Sequence, residues 1–330
     1  MKVTKPVYFD SFRCVAGRCP DSCCKEWDVL IDPEKAAYYR SLPGALGDRL
    51  RQVLTDEDDQ TYMLIENRRC PMWRDDGLCR IQSELGENAL CKTCREFPRL
   101  THDYGDFIEM GLELSCPEAA RIVFEYGHPD YVSSEVSGGE VPEYDEEVMK
   151  ILLRTRDAMR AILADESHNV GETLAIALMY GYHVQSELDG AEPTLFDPAA
   201  ALYEAHHFAH TGDISAVLDF FKDLEILTDS WSSRLEHPNP VPWSPAYRIL
   251  AQYFVDRYWL QAVSDYDLVS RVKLMVISCL VIKALGEDII STAQLYSKEI
   301  ENSIDNLEAI LDAAYSAPAF TDDRLLGLLL

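Results

Sequence analysis

Nine of the ten cysteines in this 330-residue chain lie between Cys14 and Cys116, and four of them crowd into "FRCVAGRCPDSCCKEW". The spacing runs C-x4-C-x3-C-C from Cys14 to Cys24, C-x8-C-x11-C-x2-C from Cys70 to Cys94, and then Cys116. Gly17, Pro20, Pro71, Gly77 and Pro98 interrupt regular structure around these thiols. The first third is therefore expected to be irregular, with loops that present thiols. The N-terminal "MKVTKPVYFDSF" lacks the apolar core of a secretory signal, which predicts a cytoplasmic chain. Thiol buffers there keep disulfides open, so metal binding or thiol chemistry is the expected use of the cysteines.

Thiolates are soft ligands that select zinc, copper(I) or iron–sulfur. A structural zinc site is usually written as two close pairs, but Cys91-Lys-Thr-Cys94 is the one C-x2-C pair here. An iron–sulfur cubane (4Fe-4S) spreads its ligands over a wider object and accepts scattered spacings, so it is favoured, with zinc as the alternative. The Cys91–Cys94 pair also fits a thiol–disulfide centre, but the strand-then-helix setting of a thioredoxin-like motif is missing. Free cysteine also packs as a small hydrophobe, which is the reading for Cys279 inside "VKLMVISCLVIKAL".

Beyond the cysteines, "HPDYVSSEVSGGEVPEYDEE" reads as a linker, which divides the chain into a cysteine-rich metal-binding domain (1–127), a linker or surface loop (128–145) and a helical domain (146–330). Val148, Ile151, Leu152, Met159, Ile162 and Leu163 recur at helical steps. Asp197-Pro198 and Ser244-Pro245 pair a cap residue with proline at the first helical position, and Ser291 with Gln294 resembles a capping box. The pattern predicts six or seven helices after 146. Before the linker, Asp32-Pro33 opens a helix that "GDRLRQVL" extends toward residue 55, and residues 100–116 suggest a small β-hairpin turning at Asp103–Asp106. The expected fold class is mainly α, with an irregular cysteine-rich N-terminal region and one hairpin.

With 57 acidic against 30 basic residues, the formal charge of −27 opposes nucleic acid and anionic lipid as partners and favours cationic groups. Residues 272–285 are too few, and carry Lys273 and Lys283, for a bilayer span, so no membrane association is expected. A buried core helix is the reading there. The terminal "RLLGLLL" suits either the core or a dimer seam.

The segments "FRCVAGRCPDSCCKEWDVLID", "RCPMWRDDGLCRI", "LGENALCKTCREFPR" and "LSCPEAARI" resemble the flagellin lysine-N-methylase family. The later segments "AYRILAQYFVDRYW" and "DLVSRVKLMVISCLVIKAL" are also similar to that family's C-terminal half. Cys23-Cys24, Cys70-Pro71, Cys79-Arg80-Ile81 and Cys94-Arg95-Glu96-Phe97-Pro98 are similar to a broader zinc- or iron-chelating domain. The resemblance implies methyl transfer from S-adenosylmethionine to lysine side chains of flagellin, or of another protein with surface lysines, with an iron–sulfur cluster required. The family's cysteine positions map to Cys14, Cys19, Cys23, Cys24, Cys70, Cys79, Cys94 and Cys116, with Cys91 left out. A non-catalytic iron- or zinc-chelating interaction module is the alternative. Tyr104, Asp106, Glu109 and Glu113 are candidates for a polar lip beside the metal, against the simpler reading of a solvated hairpin face. No G-x-G-x-x-G follows a predicted strand, so a doubly wound cofactor platform is not expected, and the C-x3-C-x2-C of radical S-adenosylmethionine chemistry is absent.

Overall fold

The protein is described here from a computed structural model covering residues 1–25 and 29–330. The end of the opening cysteine motif, at 26–28, lies outside the described residues.

Two small sheets organise the N-terminal part. One has strand order β5-β6-β1-β7, built from β1 (Lys2–Pro6), β5 (Arg99–Asp103), β6 (Phe107–Leu112) and β7 (Tyr131–Glu135). The other has order β2-β4-β3, built from β2 (Val29–Ile31), β3 (Leu54–Glu57) and β4 (Gln60–Met63). The β5–β6 hairpin was expected. Its neighbours were not, because β1 runs parallel to β6 across about a hundred residues and no local pattern writes such a pairing. Strand β7 lies within the stretch read as linker. Its polar "YVSSE" pairs antiparallel with β1 along its whole length, so backbone hydrogen bonds rather than apolar burial hold it.

Ten α-helices among the described residues follow Glu146, where the sequence predicted six or seven. The extra ones are short, such as Ile214–Lys222, Asp229–Glu236 and Asp322–Leu329, with too few turns to show a period. At the centre lies Val269–Leu285, apolar on every side and almost wholly buried, as expected of a helix surrounded by others. Lys273 inside it is satisfied, with Nζ donating to Ala314 O (2.8 Å) and Phe320 O (3.1 Å) and pairing with Asp322 at 2.8 Å. Cys279 is fully buried. No described helix is long and apolar enough to cross a membrane. Leu325, Leu326 and Leu329 of the C-terminal helix are buried in the chain's own core.

The proline-led caps divide. Asp32 and Asp197 accept from backbone N–H groups of their helices. Ser244 does not cap through its side chain; its helix is Ala246–Tyr258, and Ser244 offers only its carbonyl, to Tyr247 N. The 291–294 pair is displaced too, since Asp288 caps Ile289–Tyr296 by accepting from Ser291 N at 2.9 Å. Asp288→Ala is expected to cost about 1 kcal/mol in urea unfolding. Ser291→Ala should stay within about 0.5 kcal/mol, and equal losses would return the cap to Ser291.

The apolar interior forms two clusters. The smaller gathers Val29, Ile31, Tyr39, Leu50 and Met63 around Cys70 and Cys91. The larger joins Tyr8, Phe12 and Leu112 from the first sheet's region to the C-terminal helices.

Candidate functional site

The cysteine segments meet through backbone contacts. Cys70 N donates to Cys24 O at 2.8 Å, Lys25 bridges to Arg69, and Trp73 bridges to Cys79. Gly17 and Gly77 lie against each other: a Cβ on Gly77 would stand 3.2 Å from Gly17 Cα, and Gly77 has φ +78°. Side chains at either position would separate the first cysteine loop from the second. The third segment is tied to the small sheet by Lys92 N donating to Asp32 Oδ1 (2.6 Å) and Thr93 Oγ1 donating to Leu30 O (2.8 Å). Cys116 stands immediately before the Pro117–Tyr126 helix.

No disulfide joins the cysteines among the described residues, with Cys70, Cys91 and Cys116 buried, Cys19, Cys24 and Cys79 half-buried, and Cys14, Cys23 and Cys94 at the surface. Several of them shift one another's acidity. Burial pushes the Cys70 thiol up to about 11, with Cys79, Cys23 and Cys91 adding to the push. Burial pushes Cys116 up to about 12, with Cys19 and Cys23 contributing. Cys19 is raised mainly by burial and also feels Cys23 and Cys14. A hydrogen bond with Cys24 raises Cys23. Cys94 is raised first by its hydrogen bond to Cys91, with Cys91, Cys24 and Cys70 adding to the push; Cys91 is correspondingly lowered. These influences link Cys70, Cys79 and Cys94 in one group and Cys19 and Cys116 in another, with Cys23 felt in both. Cys91 belongs to the first group. Among the described residues, no three His, Cys, Asp or Glu side chains stand close enough to hold a single metal ion.

From the thiol loop a polar chain runs into the helical core. Asp21, between Cys19 and Cys23, accepts from Lys298 Nζ (3.0 Å) and Gln294 Nε2 (3.1 Å), and Gln294 also donates to Ser115 O. Lys298 lies in a buried π-helical turn, Ser297–Glu301, a distortion often found at functional sites. At its end, Glu301 accepts from Tyr253 and Tyr258 and pairs with Arg257 at 3.3 Å.

Arg257 and Tyr253 also wall a cavity of about 50 Å³ between the first sheet and the helices Glu146–Ala164 and Ala246–Tyr258. Across the sheet His102, Glu109, Thr4 and Ser133 are register partners in one row. Glu109 takes both terminal nitrogens of Arg156 at 2.6 Å, which holds its carboxyl below the usual range despite burial. Asp256 pairs with Arg160 at 2.7 Å and accepts from Tyr131. A wider hollow of about 630 Å³ opens at the hairpin turn, lined by Asp103, Tyr104, Glu140, Glu143 and Tyr144.

The polar lip expected beside the metal is split by the fold. Tyr104 lines the wide hollow, Asp106 accepts from Tyr144, Glu109 lines the inner cavity, and Glu113 is buried and accepts from Ser115 Oγ. Only Glu109 lies within β6, while Tyr104 and Asp106 sit in the turn before it and Glu113 follows it, so the four are spread along the strand and do not form one lip. His102, Arg156, Asp256, Arg257 and Glu301 escaped the sequence reading. A usable signal was present, since Arg156 interrupts the apolar stripe between Leu152 and Met159.

A 129-residue stretch is 32% identical to the flagellar biosynthetic protein FliU of Salmonella muenchen, covering 35% of this chain and 73% of that protein. It is also 32% identical over 129 residues to the lysine-N-methylases of Salmonella typhimurium and Salmonella choleraesuis, of which the match spans only 31%. No protein-family profile and no solved structure matches the chain. With about three quarters of the FliU relative matched at that identity, the chain belongs to the flagellin lysine methylase family.

Proposed function

We propose that this protein transfers a methyl group from S-adenosylmethionine to lysine side chains of flagellin or of another protein with surface lysines. The match to relatives named lysine-N-methylase carries this reading. The acidic, tyrosine-lined hollow at the hairpin turn supports it as a docking surface for a lysine-bearing protein, because carboxylates and aromatic faces both attract ammonium groups on a substrate's surface. The chemistry sets one requirement. A lysine amine titrates near about 10.4, so it must lose its proton before it can attack a methyl carbon.

The cysteines are proposed to hold a 4Fe-4S cluster, with Cys23, Cys70, Cys79 and Cys94 in the more tightly linked group and Cys14, Cys19, Cys24 and Cys116 around them. The donor set is soft and reduced, as a cluster needs. The thiols come from three separated segments, a scattered set that suits a larger object better than the two close pairs of a zinc site. When bound, a cluster supplies redox-active, Lewis-acidic iron. Cys70→Ser is expected to remove most of the iron from anaerobically purified protein, and Cys279→Ser none. Equal iron in the two variants would leave the metal adventitious.

The deciding assay incubates that protein with labelled S-adenosylmethionine and flagellin. Label is expected on lysine. Its absence over a range of conditions, with iron bound, would leave a non-catalytic metal-chelating module.

A further inference from the structure

The walls of the 50 Å³ cavity are charge-paired among themselves. Facing His102 are Glu109 and Arg156, Asp256 and Arg160, Tyr131, and Arg257, whose own partner is Glu301. Among the residues lining the cavity, His102 stands out: its Nε2 is buried with no hydrogen-bond partner among the described residues, a state shared outside the lining by Nε of Arg156, whose terminal nitrogens are held by Glu109. An unpartnered ring nitrogen in such a site is costly unless something else uses it.

Size limits what could enter. A cavity of about 50 Å³ takes a few waters or the end of one unbranched side chain, and not a nucleoside-bearing cofactor. Tyr8, Leu112 and Tyr253 form a buried floor for methylenes, while Thr4, Leu100 and His102 are half-buried at the rim. We propose that this cavity receives the amine end of the substrate lysine and that His102 takes the proton the amine sheds, an inference that rests on the lysine-methylation reading above.

The surroundings fit that role. The two guanidinium groups that line the cavity, Arg160 and Arg257, are already paired with carboxylates, so burial is what disfavours a charged ammonium there and favours the free amine. Burial first, then Arg257 and Arg156 against the opposing Glu109, holds the imidazole below its ordinary value, so it is unprotonated at neutral pH. In the reaction, the amine lone pair forms the new N–C bond while the methyl C–S bond of the sulfonium breaks. That electron pair remains on sulfur as a thioether. The proton leaves nitrogen for His102 and passes on to water.

The test uses the full chain and n-butylamine as the lysine mimic. Imidazole ¹H–¹⁵N signals of His102, identified by their loss in both His102→Gln and His102→Asn, are expected to shift saturably with butylamine, while those of the surface residues His206, His207 and His210 stay fixed. In the methyl-transfer assay His102→Gln should lower kcat about 100-fold near pH 7, with KM within about two-fold. The deficit should shrink toward about pH 9, where more free amine is present. Unmoved His102 signals in a protein that methylates lysine would overturn the amine site and leave the methylase reading standing. A butylamine shift without transfer to any lysine would do the reverse. A wild-type kcat and pH profile in a folded His102→Gln protein would overturn the base assignment.

Discussion

Glu301→Gln is expected to lower the free energy of unfolding by about 3–5 kcal/mol, the range for removing one partner of a buried ion pair. Glu301 has no exposed side-chain surface, and its carboxylate gathers Tyr253 Oη (2.9 Å), Tyr258 Oη (2.8 Å) and Arg257 Nε (3.3 Å). An amide of the same shape keeps part of the hydrogen bonding but cannot balance the guanidinium. Arg257 would then rely on Tyr253, to which it donates at 2.7 Å, and on the nearby Glu113, whose carboxyl burial already pushes toward the neutral form. Urea unfolding with an unchanged m-value reads the loss. Pairing the change with Arg257→Met should recover most of it, because the stranded charge leaves as well. A single-variant loss below about 1 kcal/mol would show that Glu113 takes over as the counter-ion. Glu301 closes the same π-helical turn that carries Lys298, the partner of Asp21 in the thiol loop, so iron content and methyl transfer should be measured on the same samples.

What the sequence made legible follows from the range of each interaction. Asp32-Pro33 and Asp197-Pro198 are legible because capping is decided within four residues. The Val269–Leu285 core helix is legible because apolar residues on every side leave it no surface to occupy. The displaced cap at Asp288 shows the limit of this: Ser291 and Gln294 have the right residues, but Asp288, three positions earlier, reaches the same backbone donors. The thiols could be grouped by segment, yet their two overlapping neighbourhoods depend on Cys70 N meeting Cys24 O and on two glycines in contact, facts of tertiary structure. His102 was invisible for the same reason. Its neighbours come from β1, β6, β7 and two helices beyond residue 145, and no spacing along the chain encodes that meeting.

Arg156→Met should be about as damaging, and its pH dependence identifies the cause. Arg156 is 4% exposed and Glu109 16%, and they form two parallel 2.6 Å contacts across the sheet–helix boundary. With the guanidinium gone, Glu109 is a buried carboxylate facing Arg160 and His102 as its remaining positive or protonatable neighbours, at an expected cost of about 3–5 kcal/mol near pH 7. In the wild-type protein the carboxyl lies below its ordinary value, so its contribution to stability is complete above that value and is lost as pH falls through the lower, folded one. In the variant the largest remaining influence is burial, which raises the carboxyl, so protonation on acidification relieves it instead. The stability gap between the two proteins should therefore be widest near neutrality and should narrow as pH drops through the carboxylate range. A gap that stayed constant with pH would assign the loss to packing of the arginine stem rather than to the stranded charge. That distinction reaches the cavity, since a Glu109 released from Arg156 becomes a second proton acceptor opposite His102.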